Sequence, residues 1–249
     1  MAAEGRESRT APKAVDSRPL YTQVRDILIE RISSGVWRPG DLIPNEFAIA
    51  RDLGVSQGTI RKALDSLAAD RLLVRRQGRG THVARHTPAD MQFRFFNFFD
   101  AAGTRIQPDS RNAKLTEGRA KAEERARLQL AEDARVFRIS RIRTKSGEPF
   151  ILETIIVPQR LFPGLAAERE VPNTLYDYFQ KGYGLTVARG KEKLTAVAAG
   201  PRAAKALGII AGAPLLKLDR VMYGLQHQPL EWRVSLCRTD SAEYIVDLR

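Results

Sequence analysis

VRRQGRGTHVAR, residues 74–85, places Gly78 and Gly80 inside a run of arginines. Arg75, Arg76, Arg79 and Arg85 belong to the run, Arg71 lies just ahead, and no acidic residue stands between Arg71 and Arg85. LLVRRQ and THVA carry the apolar and β-branched residues of two short strands, and QGRG between them predicts the turn of a β-hairpin. Glycines let such a turn approach a phosphate backbone closely, and the arginines beside it supply electrostatic grip. Gly78-Arg79-Gly80 is not a dinucleotide fingerprint, because no helix follows it.

What precedes the hairpin assigns it to a fold. In LYTQVRDILIERISSG, Leu20, Val24, Ile27, Leu28 and Ile32 recur at spacings of three and four, one face of an amphipathic helix ended by Gly35. WRPGDLIP reads as a loop. Asn45 is placed to cap a short helix, NEFAIARDL, with Phe47, Ala50 and Leu53 as its inner face and Gly54 as its stop. Ser56 is placed to cap a third helix, SQGTIRKALDSLAAD, with Ile60, Ala63, Leu64 and Leu67 inside. Two helices across a tight glycine turn, with a third ahead of them, form the helix-turn-helix plan. The outward residues at the start of the third helix are Gln57, Gly58, Thr59, Arg61 and Lys62. That end of a recognition helix reaches base edges and favours phosphates. The helices alone fit a helix pair with a solvated basic face equally well; the hairpin directly after them is a wing and favours nucleic acid.

Bulk properties agree. The chain has 249 residues and a net charge of +12, which favours a polyanionic partner. Its length suits two domains of ordinary size. The start, MAAEGRESRTAPKAVDS, is polar and has no secretory-signal pattern, so residues 1–18 are expected to be a disordered tail. One cysteine, Cys237, excludes an internal disulfide framework and suggests the cytosol. His82, His86 and His227 have no metal-ligand spacing, and no membrane segment, phosphate loop or nucleophile with an adjacent base is evident. Neither a cofactor nor catalysis is expected.

Residues 19–84 resemble the winged helix-turn-helix of GntR-type bacterial transcription factors. PLYTQVRDILIERISSGVWRPGDLIPNE, GVSQGTIRKALDSL and RRQGRGTHV match the family's three signature blocks in order and spacing. The resemblance implies DNA contacts by Ser56, Thr59, Arg61 and Gly78, and the wing adds Arg75, Gln77 and Arg79. Three positions depart from the pattern. Phe47 and Gln57 stand where the family usually has DNA-contacting arginines, and Arg71 replaces the usual glycine before the wing. Gln57 suits adenine where arginine prefers guanine, so the family's role is expected but not its commonest operator. Phe47 is expected to pack against the third helix.

After a linker at 86–92, residues 93–249 read as an α+β domain with an antiparallel sheet. RVFRISRIRTKSGEPFILETIIVP is a hairpin around Ser146–Pro149, and GAPLLKLDRVMYGLQHQPLEWRVSLCR is another around Gly224–Gln228. SAEYIVDLR reads as a final strand. Helical segments are KAEERARLQL, NTLYDYFQKGYG with Asn173 as cap, and GPRAAKALG with Pro201 in the first turn. VFRISRIRTKSGEPFILE, TLYDYF and the GAPLL…PLEW…CRTD tail resemble the UTRA effector domain of the HutC-type subfamily, which implies a chorismate-lyase-like fold. The tail departs in spacing Asp240 from Tyr244.

Arg141 and Arg143, two apart on one strand, point to one face. Symmetric pairing about Gly147 sets Arg141 opposite Glu153 and Arg143 opposite Ile151. A carboxylate on an apolar face is costly unless paired. Spacing alone favours a structural ion pair. The resemblance implies that Arg141, Arg143, Glu153 and Glu231 line an effector pocket, the arginines binding an acidic group and the glutamates orienting them or accepting from the ligand. Relatives bind phosphorylated sugars, amino-sugars or urocanate-like acids. FRFFNFFDAAG, residues 93–103, is read as a strand entering the core with a dimer contact; the alternative is a pocket border.

The whole implies a cytoplasmic homodimeric repressor on a near-palindromic double-stranded operator, with half-sites about 34 Å or a multiple apart, answering to a small acidic effector and away from the membrane. The alternatives are an enzyme using the lyase-like pocket and a nonspecific architectural DNA binder.

Overall fold

The computed structural model describes residues 18–70, 72–84, 95–167 and 171–246. The expectations for the tail at 1–17, for Arg71 and Arg85, and for the linker at 86–92 lie outside the described residues.

Helix α1 spans Leu20–Ser33, α2 Glu46–Leu53 and α3 Gln57–Ala69. Both predicted caps form. The Asn45 side chain accepts from the Ala48 amide at 2.8 Å, and Ser56 Oγ accepts from the Thr59 amide at 3.1 Å. Gly54 ends α2 in the left-handed region, φ 63°, which forces the tight turn. Val24, Leu28 and Ile29 of α1 pack with Ile49, Ile60, Leu64 and Leu67 in one cluster. Each such side chain contributes about 1.5–3 kcal/mol by leaving water.

Two inner-face expectations fail. Leu20 and Ile27 of α1 are exposed. The buried arc of α1 also takes in Ile29 and Arg25, so at 3.6 residues per turn Leu20 and Ile27 fall beyond its edge. Phe47 is 66% exposed and does not pack into the core; Ile49 and Ala50 form the buried side of α2.

Strands β1 (Leu73–Arg76) and β2 (Gly80–Val83) form the hairpin, paired from Leu73–Val83 to Arg76–Gly80. The loop before α2 zips onto its free edge. Gly40 donates to the Val83 carbonyl, Val83 to that of Asp41 and Ile43 to that of Thr81, each at 2.9 Å. The wing is thereby tied to the helices on two sides.

The remainder is built on a six-stranded antiparallel sheet. Its strands are β4 (Asp109–Arg119), β5 (Arg135–Lys145), β6 (Glu148–Pro158), β7 (Val187–Ala198), β8 (Pro214–Gly224) and β9 (Pro229–Cys237), in the order β4-β5-β6-β9-β8-β7. Helices α4 (Ala122–Leu128), α5 (Leu175–Tyr183) and α6 (Pro201–Leu207) are interspersed. Strand β3 (Phe98–Phe99) pairs with β10, which is only Glu243–Tyr244 rather than the longer final strand expected. Both predicted hairpins are present, and Arg141 pairs with Glu153 and Arg143 with Ile151, as read from symmetry about Gly147. Among the described residues no helix is long and apolar enough to cross a membrane.

The two parts meet through the β8–β9 turn and the start of β7. Leu225 and Ala188 are buried in the same cluster as Val24 and Leu28. Arg25 of α1 reaches Asp70 Oδ2 at 2.7 Å and His227 Nε2 at 3.3 Å.

Candidate functional site

The first site is a basic surface around the start of α3. Gln57 and Gly58 are exposed in its first turn, and the Ser56 and Thr59 hydroxyls are 2.8 Å apart. The first amides of a helix have no intrahelical acceptor, so this end is a donor surface for phosphate. Gly58 is helical, yet a Cβ there would meet only Ser56 Oγ, at 3.9 Å. Nothing among the described residues demands glycine at 58, so the open space faces outward. Arg61 is held by Glu46, Nε to Oε2 3.0 Å, a hydrogen bond that raises the guanidinium pKa above its ordinary value. Arg75 pairs with Asp65 at 2.6 Å and Lys62 sits 4.3 Å from the centre of the Tyr21 ring. These cations are aimed by neighbours rather than free to roam. Gln77, Gly78 and Arg79 form the exposed wing tip, with Gly78 at φ 70° and Arg79 donating its amide to the Arg76 carbonyl.

The second site is a ladder of buried charge crossing the face of the sheet beneath α5. Arg141 Nε donates to Glu153 Oε2 at 2.7 Å. Arg233 binds Glu231 through two nitrogens, at 2.9 and 3.0 Å, and reaches Glu153 at 3.4 Å. Arg220 donates to Glu192 at 2.6 Å. Tyr176 of α5 donates to Glu231 at 3.1 Å. Burial pushes the Tyr176 phenol up to about 12, so it stays a donor. Glu153 is held far below the ordinary carboxylate range because the nearby Arg141, Arg233 and Arg143 outweigh its burial, itself the largest single effect.

Four guanidinium groups face three carboxylates, and Arg143 is the one left over. Its Nη2 donates to the Pro108 carbonyl at 2.8 Å and the Asn173 side chain at 3.0 Å, and its buried Nε has no partner. No carboxylate among the described residues lies within ion-pair distance of it. Burial lowers its pKa to about 10, with Arg141 and Arg233 adding to the fall against Glu153, yet it remains a cation near neutrality. Beside it opens a small cleft, about 410 Å³ when the open solvent at its mouth is counted, walled by Arg141, Arg143, Asn173, Tyr176, Phe95 and Phe96, among others. Asp177 at this cavity is neutralised by Lys181 at 2.9 Å. A second chamber shares the walls Phe95, Phe96, Arg220 and Arg233 and is lined by Glu153, Glu192, Ser235 and Tyr244. Tyr244 donates to Glu192, and burial followed by that bond raises its phenol to about 12.

Of the residues singled out from sequence, Arg141 and Arg143 line the first chamber and Glu153 the second. Glu231 is fully buried behind Arg233 and forms no wall of either. Asn173 does not cap α5. Its amide turns into the cavity, where the oxygen accepts from Arg143 and Ser110 and the nitrogen donates to the Pro108 carbonyl. Within the aromatic stretch, Phe98 is core, as expected of a strand entering it, and Phe95 and Phe96 border the pocket. Arg220 and Arg233 were missed. A signal existed, because the second hairpin sets them directly opposite each other. Like charges so placed are unfavourable unless carboxylates or a ligand bridge them.

Comparison with known proteins identifies both parts of the chain. Residues 20–83 match the bacterial regulatory proteins of the gntR family, and residues 104–243 match the UTRA domain. The chain is 32% identical over 203 residues to the histidine utilization repressor of Pseudomonas putida, 81% of each chain being covered. It is 28% identical to the HTH-type transcriptional repressor NagR of Bacillus subtilis (strain 168), over 91% of this chain and 93% of that one. The ligand-binding domain of a regulator assigned to the GntR family from Bordetella bronchiseptica superposes with a TM-score of 0.58 at 31% identity, over 63% of this chain and 99% of that one. PhnF from Mycobacterium smegmatis shares the fold, with a TM-score of 0.54 at 24% identity over 93% and 99%.

Proposed function

The chain belongs to the GntR family of bacterial regulators and carries a UTRA domain, and on that premise we propose that it is a cytoplasmic homodimeric repressor released or retained on its operator by a small acidic metabolite. Residues 19–85 are the DNA-binding head and 93–249 the effector-binding and dimerisation domain. Two heads, related by a two-fold axis, insert their α3 helices into successive major grooves of a near-palindromic site. Gln57 and Thr59 meet base edges, Ser56 and Gly58 admit the phosphate backbone, and Arg61, Lys62, Arg75, Gln77, Gly78 and Arg79 grip it.

The observation that carries the ligand class is the surplus cation. Arg143 is buried beside a cavity with an unpartnered Nε and no carboxylate of its own. An anionic group in the cavity satisfies that donor and balances the charge, with Arg141 and Asn173 beside it. The route to the DNA is the β8–β9 hairpin. Its strands carry Arg220 and Arg233 in the pocket wall, and its turn carries Leu225 and His227 against the head. A ligand that prefers one placement of this hairpin changes operator affinity, and DNA changes ligand affinity in return.

The test begins with selection from a random DNA pool at physiological salt. An inverted repeat is expected. Small carboxylates and sugar phosphates are then titrated against the protein–DNA complex by fluorescence anisotropy. At least one acid is expected to shift operator affinity for the native protein and none for Arg143→Gln. Operator affinity unchanged at saturation with every acid that binds would sink the regulatory reading. Turnover of a bound acid would favour the enzyme instead.

A further inference from the structure

Phe47 is the anomaly of the DNA-binding head. It stands in the first turn of α2, two residues after the Asn45 cap, with 66% of its surface exposed. Its chain neighbour Glu46 fastens α2 to the reading face, holding Arg61 of α3 at 3.0 Å and reaching Arg75 of the wing at 3.8 Å. A phenyl ring left in water forgoes the stabilisation that burial would give it, and the α2 core is complete without it through Ile49 and Ala50. The ring is therefore unaccounted for among the described residues, and its chain neighbour holds two cations of the reading face.

We infer that Phe47 is a specificity-determining residue that packs on the 5-methyl group of a thymine in each operator half-site. The chemistry on the page favours this occupant. Arg61 and Arg75 are shared with Glu46 and Asp65, and Arg51 one turn along α2 with the exposed Arg76 and Arg79 of the wing adds the positive charge that complements a polyanion. Within the major groove the thymine methyl is the apolar feature of a base-pair edge, and phenylalanine is one of the side chains that contact it. Gln57, exposed in the first turn of α3, offers the paired donor and acceptor that suit adenine. The two residues give this chain a reading surface for A·T pairs. The inference rests on the operator reading proposed above and adds a named base to it.

The experiment uses the full chain and the site recovered from the random pool. Selection is repeated with Phe47→Ala and Phe47→Arg; the position is exposed, and melting curves confirm that both variants fold. The native protein is expected to enrich thymine at one position per half-site, Phe47→Ala to lose that preference alone, and Phe47→Arg to exchange it for guanine. Replacing that thymine by uracil, which removes only the methyl group, is expected to weaken native binding about fourfold, the worth of one buried methyl, and to leave Phe47→Ala unaffected. If the alanine variant enriches the same motif and uracil affects both proteins alike, the inference is overturned while the operator reading stands. If the native protein enriches no motif, both fall together.

Discussion

Arg141 and Glu153 stand opposite each other on β5 and β6, Nε to Oε2 2.7 Å, with side chains 1% and 3% exposed. Glu153 also receives Arg233 from the other side. Removing the carboxylate strands Arg141 in the sheet interior and leaves Arg233 with Glu231 alone. Glu153→Ala is therefore expected to destabilise the effector domain by about 3–5 kcal/mol, read as a lowered urea midpoint. A change below about 1 kcal/mol would show that water or a solute replaces the carboxylate.

The same carboxylate sets the acid limit of stability. Its pKa is lowered on folding, so its contribution is complete above the unfolded glutamate value, about 4.3, and is lost as pH falls below that. Glu124, lowered by its hydrogen bonds to Arg138 and the Lys121 amide against the larger opposing effect of burial, acts in the same direction. Melting temperature is expected to drop steeply below about pH 4 in the native protein. In Glu153→Gln that acid limb is expected to be shallower.

Gly58 separates stability from binding. Glycine in a helix is unfavourable, and among the described residues a methyl group at 58 meets only Ser56 Oγ, at 3.9 Å. Gly58→Ala is expected to stabilise the head by about 0.4–1 kcal/mol. It is also expected to weaken operator binding roughly tenfold, ~1.4 kcal/mol, because the methyl group occupies the space of the backbone phosphate. Equal operator affinity in the two proteins would mean that DNA does not approach this turn.

Arg25 and His227 test the route between pocket and head. His227→Ala removes a solvent-exposed side chain and one contact of Arg25 while leaving the Arg25–Asp70 pair at 2.7 Å. Effector affinity of the free protein is expected to stay within about twofold. The change in operator affinity caused by effector, typically about 5–150-fold in such systems, is expected to shrink. Calorimetry and anisotropy on the same preparation read the two quantities, and an undiminished response would place the coupling elsewhere.

The helices, the wing and both central hairpins were legible because each carries its own punctuation: Asn45, Ser56 and Gly54 around the helices, glycines in the turns, and alternation along the strands. Strands β4 and β7 were not read. They are the sheet edges, mostly exposed along their length, so neither shows the apolar alternation that marks a half-buried strand. Phe47 was misplaced because periodicity treats every large apolar residue as core. Asn173 was misread because a residue of cap chemistry ahead of a helix has the same sequence whether its amide turns to the helix or to the cavity. Arg141 with Glu153 was found from hairpin symmetry, whereas Arg220 and Glu192 required the β7–β8 pairing, which needs the unread edge strand.

The pocket divides its labour between two kinds of backbone. Arg141, Arg143, Glu153, Arg220 and Arg233 rise from paired strands, where their positions are locked by register. Phe95, Phe96, Asn173 and Thr174 come from segments outside helix and strand. The strands make a socket and the irregular segments its jaws, so substitutions in the jaws are expected to change which ligand fits without disturbing the sheet.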